Sequence, residues 1–249
     1  LNVTINGVLK IEYSDEKYYA IKKGLEKKDL FLMETLPDVE WNKTFGGSDY
    51  DEAYSVQQTS DNGYIVVGYT QSFRAGDQDF WLIKTDSNGN MKWNKTFSGY
   101  SSHAGARSVQ QTSDSGYIVA GYTDSVGVGG FDFWLIKTDS DGNQEWNKTF
   151  GGYYNHDVAY SVQQTSDSGY IIAGYTESFG AGGRDFWLVK TDSNGNQEWG
   201  KPFGGSHYDY AYSVQQTSDN SYIVAGKTRS FGAGRDDFWL IKTDSNGNM

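Results

Sequence analysis

Residues Asp79–Phe97 read DFWLIKTDSNGNMKWNKTF: two short apolar runs, each carrying a Trp, on either side of a polar turn. Both runs are rich in aromatic and β-branched residues, and DSNGN supplies the Gly and Asn that a tight hairpin uses. The stretch therefore reads as two strands and their connecting turn. It returns at Asp132–Phe150 and Asp185–Phe203, and its first half returns at Asp237–Met249. Trp41, Trp93, Trp146 and Trp199 mark the second strand at spacings of 52, 53 and 53 residues, while Trp81, Trp134, Trp187 and Trp239 mark the first. Between Ser161–Asn196 and Ser213–Asn248, 28 of 36 aligned positions are identical, the mark of duplication.

Upstream of the quoted pair stand YSVQQT (Tyr54–Thr59) and GYIVVGYT (Gly63–Thr70), joined by the turn signal SDNG. The unit thus holds four strands, A to D, in about 50 residues, the pattern of a β-propeller blade. A helical solenoid is excluded because no unit contains a 3.6-residue apolar period. One four-stranded sheet cannot bury both faces alone, so the FW pair of strand C and the Trp of strand D read as packing between neighbouring blades.

The first forty residues match the repeat once aligned. SDEKYYAIKKG (Ser14–Gly24) follows SDNGYIVVGYT, DLFLMET (Asp29–Thr35) follows DFWLIKT, and LNVTING (Leu1–Gly7) follows WNKTFGG (Trp41–Gly47). The chain begins on a D strand and stops at Met249, where its last D strand is due. The expected fold is all-β, a five-bladed β-propeller of four-stranded blades forming one domain over residues 1–249. Its blades span about 8–45, 54–98, 106–150, 159–203 and 211–249, the last closed by the N-terminal strand 1–7.

Composition narrows the function classes. A net charge of -11 speaks against sequence-independent binding to nucleic acid or anionic lipid, both of which need basic patches. The apolar runs are too short to insert in a membrane. Without Cys there is no disulfide and no thiolate chemistry. No signal peptide is visible, and an opening Leu1 in place of Met points to a piece excised or processed from something longer.

The unit resembles several propeller families. SDNGYIVVGYT followed by DFWLIKTDSNG and a Trp is similar to the kelch pattern, and KTDSNGNMKW resembles the docking turn of quinoprotein propellers. The run from GYIVVGYT to the GG after strand D resembles repeats of prokaryotic cell-surface propellers of the SBBP type. That resemblance covers Trp41–Met249 strongly and the earlier residues weakly. It implies an extracellular or cell-surface module for adhesion or interaction, and it transfers architecture more than activity.

Because adjacent strands alternate in direction, the D–A and B–C loops open on one face and the A–B and C–D turns on the other. The turns barely change along the chain. The loops do: GGSDYDEA, SGYSSHAGA, GGYYNHDVA and GGSHYDYA, then QSFRAGDQ, DSVGVGGF, ESFGAGGR and RSFGAGRD. Function on repeat folds concentrates in such variable loops. The candidate ligand-binding residues are therefore Tyr50, Asp51, Arg74, His103, Tyr154, His156, Arg184, His207, Tyr208 and Arg235. The three histidines lack metal-ligand spacing, so no metal is expected. DSDGN (Asp139–Asn143) lacks the distal Glu of a calcium loop and reads as a turn. The Asp that opens each strand C is expected to accept backbone N–H bonds.

No nucleophile–base pair and no two carboxylates in distinct settings stand out, so neither catalytic residues nor a cofactor are expected. The expected activity is non-enzymatic binding or adhesion, by a monomer, to a protein or glycan on a cell surface. The alternatives are a lectin with repeated sites, since Tyr and Trp suit sugar stacking, and a glycan-processing enzyme. N-x-T sequons occur at Asn2, Asn42, Asn94 and Asn147, while the fourth unit reads GKP in the same place.

Overall fold

The computed structural model describes residues 40–73, 77–98, 103–153 and 155–249 in full, with the backbone of three strands before them. Those three are β1 (Val3–Ile5), β2 (Leu9–Ser14) and β3 (Lys17–Lys22). The chain divides into two compact units, Leu1–Asn42 and Lys43–Met249.

In the first unit β1, β2 and β3 form one antiparallel sheet in that order, with Val3 opposite Ile11 and Tyr13 opposite Tyr18. Strands A and B of the first repeat are thus present, and Asp29–Thr35 lies outside the described residues. Val3–Ile5 was expected beside Asp237–Thr243. Its ladder partner is instead β2, three residues further along the chain.

The second unit holds four sheets. The first is β4 (Asp51–Gln58), β5 (Tyr64–Thr70), β6 (Asp79–Thr85) and β7 (Met91–Phe97). The second is β8 (Ala104–Gln111), β9 (Tyr117–Thr123), β10 (Asp132–Thr138) and β11 (Gln144–Phe150). The third is β12 (Asp157–Gln164), β13 (Tyr170–Thr176), β14 (Asp185–Thr191) and β15 (Gln197–Phe203). The fourth has β16 (Asp209–Gln216), β17 (Tyr222–Thr228) and β18 (Asp237–Thr243). All four are antiparallel meanders in sequence order, so this is a propeller-like, all-β repeat architecture.

Strand A starts three residues earlier than the sequence pattern predicts, because a β-bulge hides its first half. The register shifts between Ala53 and Ser55, and again at Ala106/Ser108, Ala159/Ser161 and Ala211/Ser213. The extra residue breaks the period-2 pattern on which the strand reading relied.

Neighbouring sheets of this unit pack face to face. Phe80 meets Trp134 at 4.6 Å, Phe133 meets Trp187 at 4.6 Å, and Phe186 meets Trp239 at 4.5 Å between ring centroids. Ile, Val, Leu and Ala from strands A, B and C fill each junction. Outside this layer the strand-D Trp reaches the next sheet's strand-B Tyr: Trp93 to Tyr117, Trp146 to Tyr170 and Trp199 to Tyr222. Both Trp residues of the repeat therefore join sheets, as the sequence predicts. The last sheet differs: Phe238 is fully exposed and Leu240 is 67 % exposed, where Phe186 and Leu188 are buried.

Polar groups fix the opposite end. Lys137 is buried within β10, yet its ammonium reaches Asp114 at 2.8 Å and Glu145 at 2.9 Å and donates to the Thr138 carbonyl. Lys190 repeats this with Asp167, Glu198 and Thr191. Positive φ in the A–B turns falls on Asn62, Ser115, Ser168 and Asn220, one residue before the expected Gly. The following Gly63 is needed for space instead, since a Cβ there would overlap the Thr85 carbonyl and stand 2.5 Å from Lys84 Nζ. Ser221 takes that place in the last sheet, and there the Lys242 side chain is 56 % exposed.

Candidate binding face at the variable-loop end

Each D–A loop is tied to the B–C loop of its own sheet, and the tie differs from sheet to sheet. Asp49 N–H donates to Ser72 Oγ at 3.0 Å, His103 N–H to Asp124 Oδ1 at 2.8 Å, and His207 N–H to Ser230 Oγ at 3.1 Å. His156 N–H donates to Glu177 Oε2 at 3.3 Å. The two loop sets thus share one end of the unit, as strand alternation requires.

Several candidates are bonded into the loops themselves, although His103, His156 and His207 all stay exposed. Asp51 takes hydrogen bonds from Thr70 Oγ1, from Ser72 Oγ at 2.7 Å and from Gly47 N–H at 2.9 Å. Burial works to raise its pKa, but the bonds from Thr70, Ser72 and Gly47 outweigh it and hold the carboxyl below its ordinary value. His156 accepts the Phe131 N–H on Nδ1 at 3.0 Å and packs on the Phe131 ring, so it splices two neighbouring sheets. His103 faces Asp124 at 3.3 Å, and His207 Nδ1 lies 2.9 Å from Ser206 Oγ. The three imidazoles do not converge. Among the described residues no group of three or more His, Asp or Glu gathers where a metal ion could sit.

Arg184 and Tyr208 do come together, across the junction between the third and fourth sheets. The guanidinium lies 6.0 Å from the Tyr208 ring and 4.5 Å from that of Tyr175, and donates to Tyr210 Oη at 2.9 Å. Glu177 completes the pair at 2.6 Å. Burial opposes the charge on Arg184, but the Glu177 carboxylate and the tyrosines more than offset it, so the guanidinium stays charged. Tyr50 is 71 % exposed, Tyr208 is exposed beside Arg184, and Arg235 is exposed. Arg74 and Tyr154 lie outside the described residues, as does the sequon at Asn2. Asn42 is exposed, while Asn94 and Asn147 accept the indole N–H of Trp81 and Trp134.

Sequence reasoning missed a row of side chains at the strand-A bulges. Tyr54, Arg107, Tyr160 and Tyr212 occupy equivalent bulge positions on successive A strands. Tyr160 meets Tyr212 edge-on at 5.4 Å, and Tyr210 stacks on Tyr212 at 6.2 Å. Arg107 replaces the tyrosine once, with its guanidinium 3.8 Å over the Tyr54 ring. The signal was in the sequence as YSVQQ against RSVQQ, but the bulge conceals which face that residue takes. The DSDGN turn is filled by its own chain: Asp139 Oδ1 accepts the Asp141 and Asn143 N–H groups. Asp132 and Asp185 accept the N–H groups of Val128 and Ala181, each at 2.7 Å, as expected of the strand-C aspartates.

Fold and loops together define a repeat protein of propeller-like, all-β class. No family model matches the chain, and no curated protein matches it. Among solved structures, one described as the crystal structure of the eukaryotic initiation factor is similar over 98 % of this chain, with 7 % identity and a TM-score of 0.33. This chain spans 64 % of that one's length.

Proposed function

We propose that this protein is a non-enzymatic binding or adhesion module of the cell surface or extracellular space, which meets a protein or glycan partner through its variable-loop end. The observation that carries the reading is the contrast between its two ends. One end bears near-identical polar turns, whereas the other presents exposed Tyr50, Tyr153 and Tyr208 on loops that differ between sheets. Exposed aromatic side chains held by a rigid scaffold are the usual anchors of recognition surfaces. A lectin is the second reading, favoured by the tyrosine row on the A strands, because aromatic faces stack on sugar rings.

The test uses a glycan array and a panel of extracellular-matrix proteins. Replacing Tyr50, His103 and Tyr208 by Ser should abolish whatever binding the parent shows while leaving stability within about 0.5 kcal/mol, as for exposed positions generally. Binding that survives those changes and fails after changes in the DSNGN turns would place the partner on the other end.

The scaffold we propose is a closed ring of five blades, with Leu1–Gly7 exchanged from its hairpin onto the free edge of Asp237–Thr243. The bare Phe238 and Leu240 support it, since the equivalent pairs Phe80/Leu82, Phe133/Leu135 and Phe186/Leu188 are covered. In a closed ring Phe238→Ala costs about 3 kcal/mol or more, like other buried Phe truncations. A cost below about 0.5 kcal/mol would leave the last sheet open and refute closure.

A further inference from the structure

In the first two sheets of the Lys43–Met249 unit, the strand-C Trp donates its indole N–H to an Asn on strand D. Trp81 Nε1 lies 3.2 Å from Asn94 Oδ1, and Trp134 Nε1 lies 3.3 Å from Asn147 Oδ1. In the third sheet the Asn is replaced by Gly200, and the Thr opposite the Trp is replaced by Pro202. Among the described residues no side chain takes its place as acceptor for Trp187 Nε1, in contrast to the bonds of Trp81 and Trp134. A groove of about 370 Å³ lies beside this position, lined by Thr149, Phe150, Phe179, Trp187, Gln197, Gly200 and Pro202. That size lies within the range of roughly 300–1,000 Å³ that small-molecule sites occupy.

We infer that this groove, on the outer strands and bordered by Phe179 of a variable loop, binds a single neutral hexose ring. A Cβ on Gly200 would lie 3.3 Å from Trp187 Nε1 and 3.1 Å from Gln197 Nε2, so two donors flank the point where an Asn side chain starts in the other sheets. A hydroxyl or ring oxygen of the sugar accepts from both in place of the Asn carbonyl. The Phe179 ring, 44 % exposed and 5.2 Å from Trp187, offers an apolar face to the sugar's C–H groups. No lining residue is charged, although the protein carries 53 charged side chains, 21 basic and 32 acidic. An ionic ligand would have no counter-charge here; a neutral one needs none.

The experiment follows the indole N–H signals of the ¹⁵N-labelled protein by NMR. Trp187 is identified by the signal missing from Trp187→Phe, and the protein is titrated with the methyl glycosides of glucose, galactose, mannose and N-acetylglucosamine. The expected result is a saturable shift of the Trp187 signal with at least one of them, lost in Gly200→Asn. That variant restores the residue two other sheets already use, so it keeps the fold, and its intact indole spectrum verifies this. No saturable shift with any of the four, or the same shift in Gly200→Asn, overturns the site. A stronger response to methyl glucuronide overturns the choice of a neutral ligand.

Discussion

The indole of Trp146, on the outer strand of one sheet, ends against Gly195 in the outer turn of the next: a Cβ on Gly195 would stand 2.6 Å from its Cζ3. Trp93 with Gly142 and Trp199 with Gly247 repeat the relationship, at 2.7 and 2.8 Å. The turn glycine therefore serves twice. It adopts a φ of 75° that side chains resist, and it makes room for the neighbouring Trp.

Gly195→Ala should accordingly cost about 2–4 kcal/mol, from left-handed backbone strain and overpacking together. Urea denaturation measures it. In a Trp146→Ala background the same substitution should cost only the backbone share, about 1–2 kcal/mol. Equal costs in both backgrounds would mean that the indole does not need the glycine.

Lys190→Met removes an ammonium that is buried while its partners Asp167 and Glu198 stay half in water. The stem still packs, but the Thr191 carbonyl loses its donor, so a loss of about 1–3 kcal/mol is expected. Because the carboxylates remain hydrated, Asp167→Asn should cost less than Lys190→Met. Equilibrium unfolding of both variants orders them, and the reverse order would place the stabilisation in the exposed ion pair.

Stability should peak in mildly acidic solution. Burial, with Asp157 or Asp209 nearby as a second cause, pushes Asp132 and Asp185 up to about 6. Carboxyls raised in the folded state bind protons that the unfolded chain has released, so their contribution is full below about 4 and lost as pH rises to about 6. Asp114 and Asp167 run the other way. Burial tends to raise them, but Lys137 and Lys190, with Thr112 and Thr165, bring both down to about 2. Their contribution is full above about 4 and fades as pH falls towards 2. Urea midpoints should therefore rise from pH 7 to about pH 4.5 and fall below pH 3. The Asp132→Asn, Asp185→Asn double variant should flatten the upper limb; an unchanged limb would assign that slope to other groups.

Much of the architecture is legible before any coordinates. The Phe–Trp pair of Asp79–Thr85 announces a strand buried on both faces, and all seven of its residues are buried. Spacing near 53 residues then fixes how the sheets recur. The bulge at Tyr54 was invisible, because an extra residue erases the alternation that marks strand A, and with it the tyrosine row. Asp51 looked like a binding residue because it sits in a variable loop, but its three hydrogen bonds belong to the loop's own closure. The change from NKT to GKP at Gly200 was visible as a broken sequon. That it takes the Asn acceptor from an indole N–H is visible only once Trp187 and Gly200 are seen on paired strands.

One smaller feature concerns how such a chain can change length. Gln110 and Gln111 belong to a strand A joined to both neighbouring A strands by side chains: Gln57 Oε1 accepts from Gln111 N–H at 2.5 Å, Gln110 Oε1 from Gln164 N–H at 2.5 Å, and Gln163 Oε1 from Gln216 N–H at 2.6 Å. The second and third sheets therefore each offer the same socket on one side and the same plug on the other. Excising one whole repeat, such as residues 147–199, would bring together a plug and a socket that already match. Whole repeats can thus be removed at a matching seam, while a cut part-way through a repeat brings together strands whose side chains do not match.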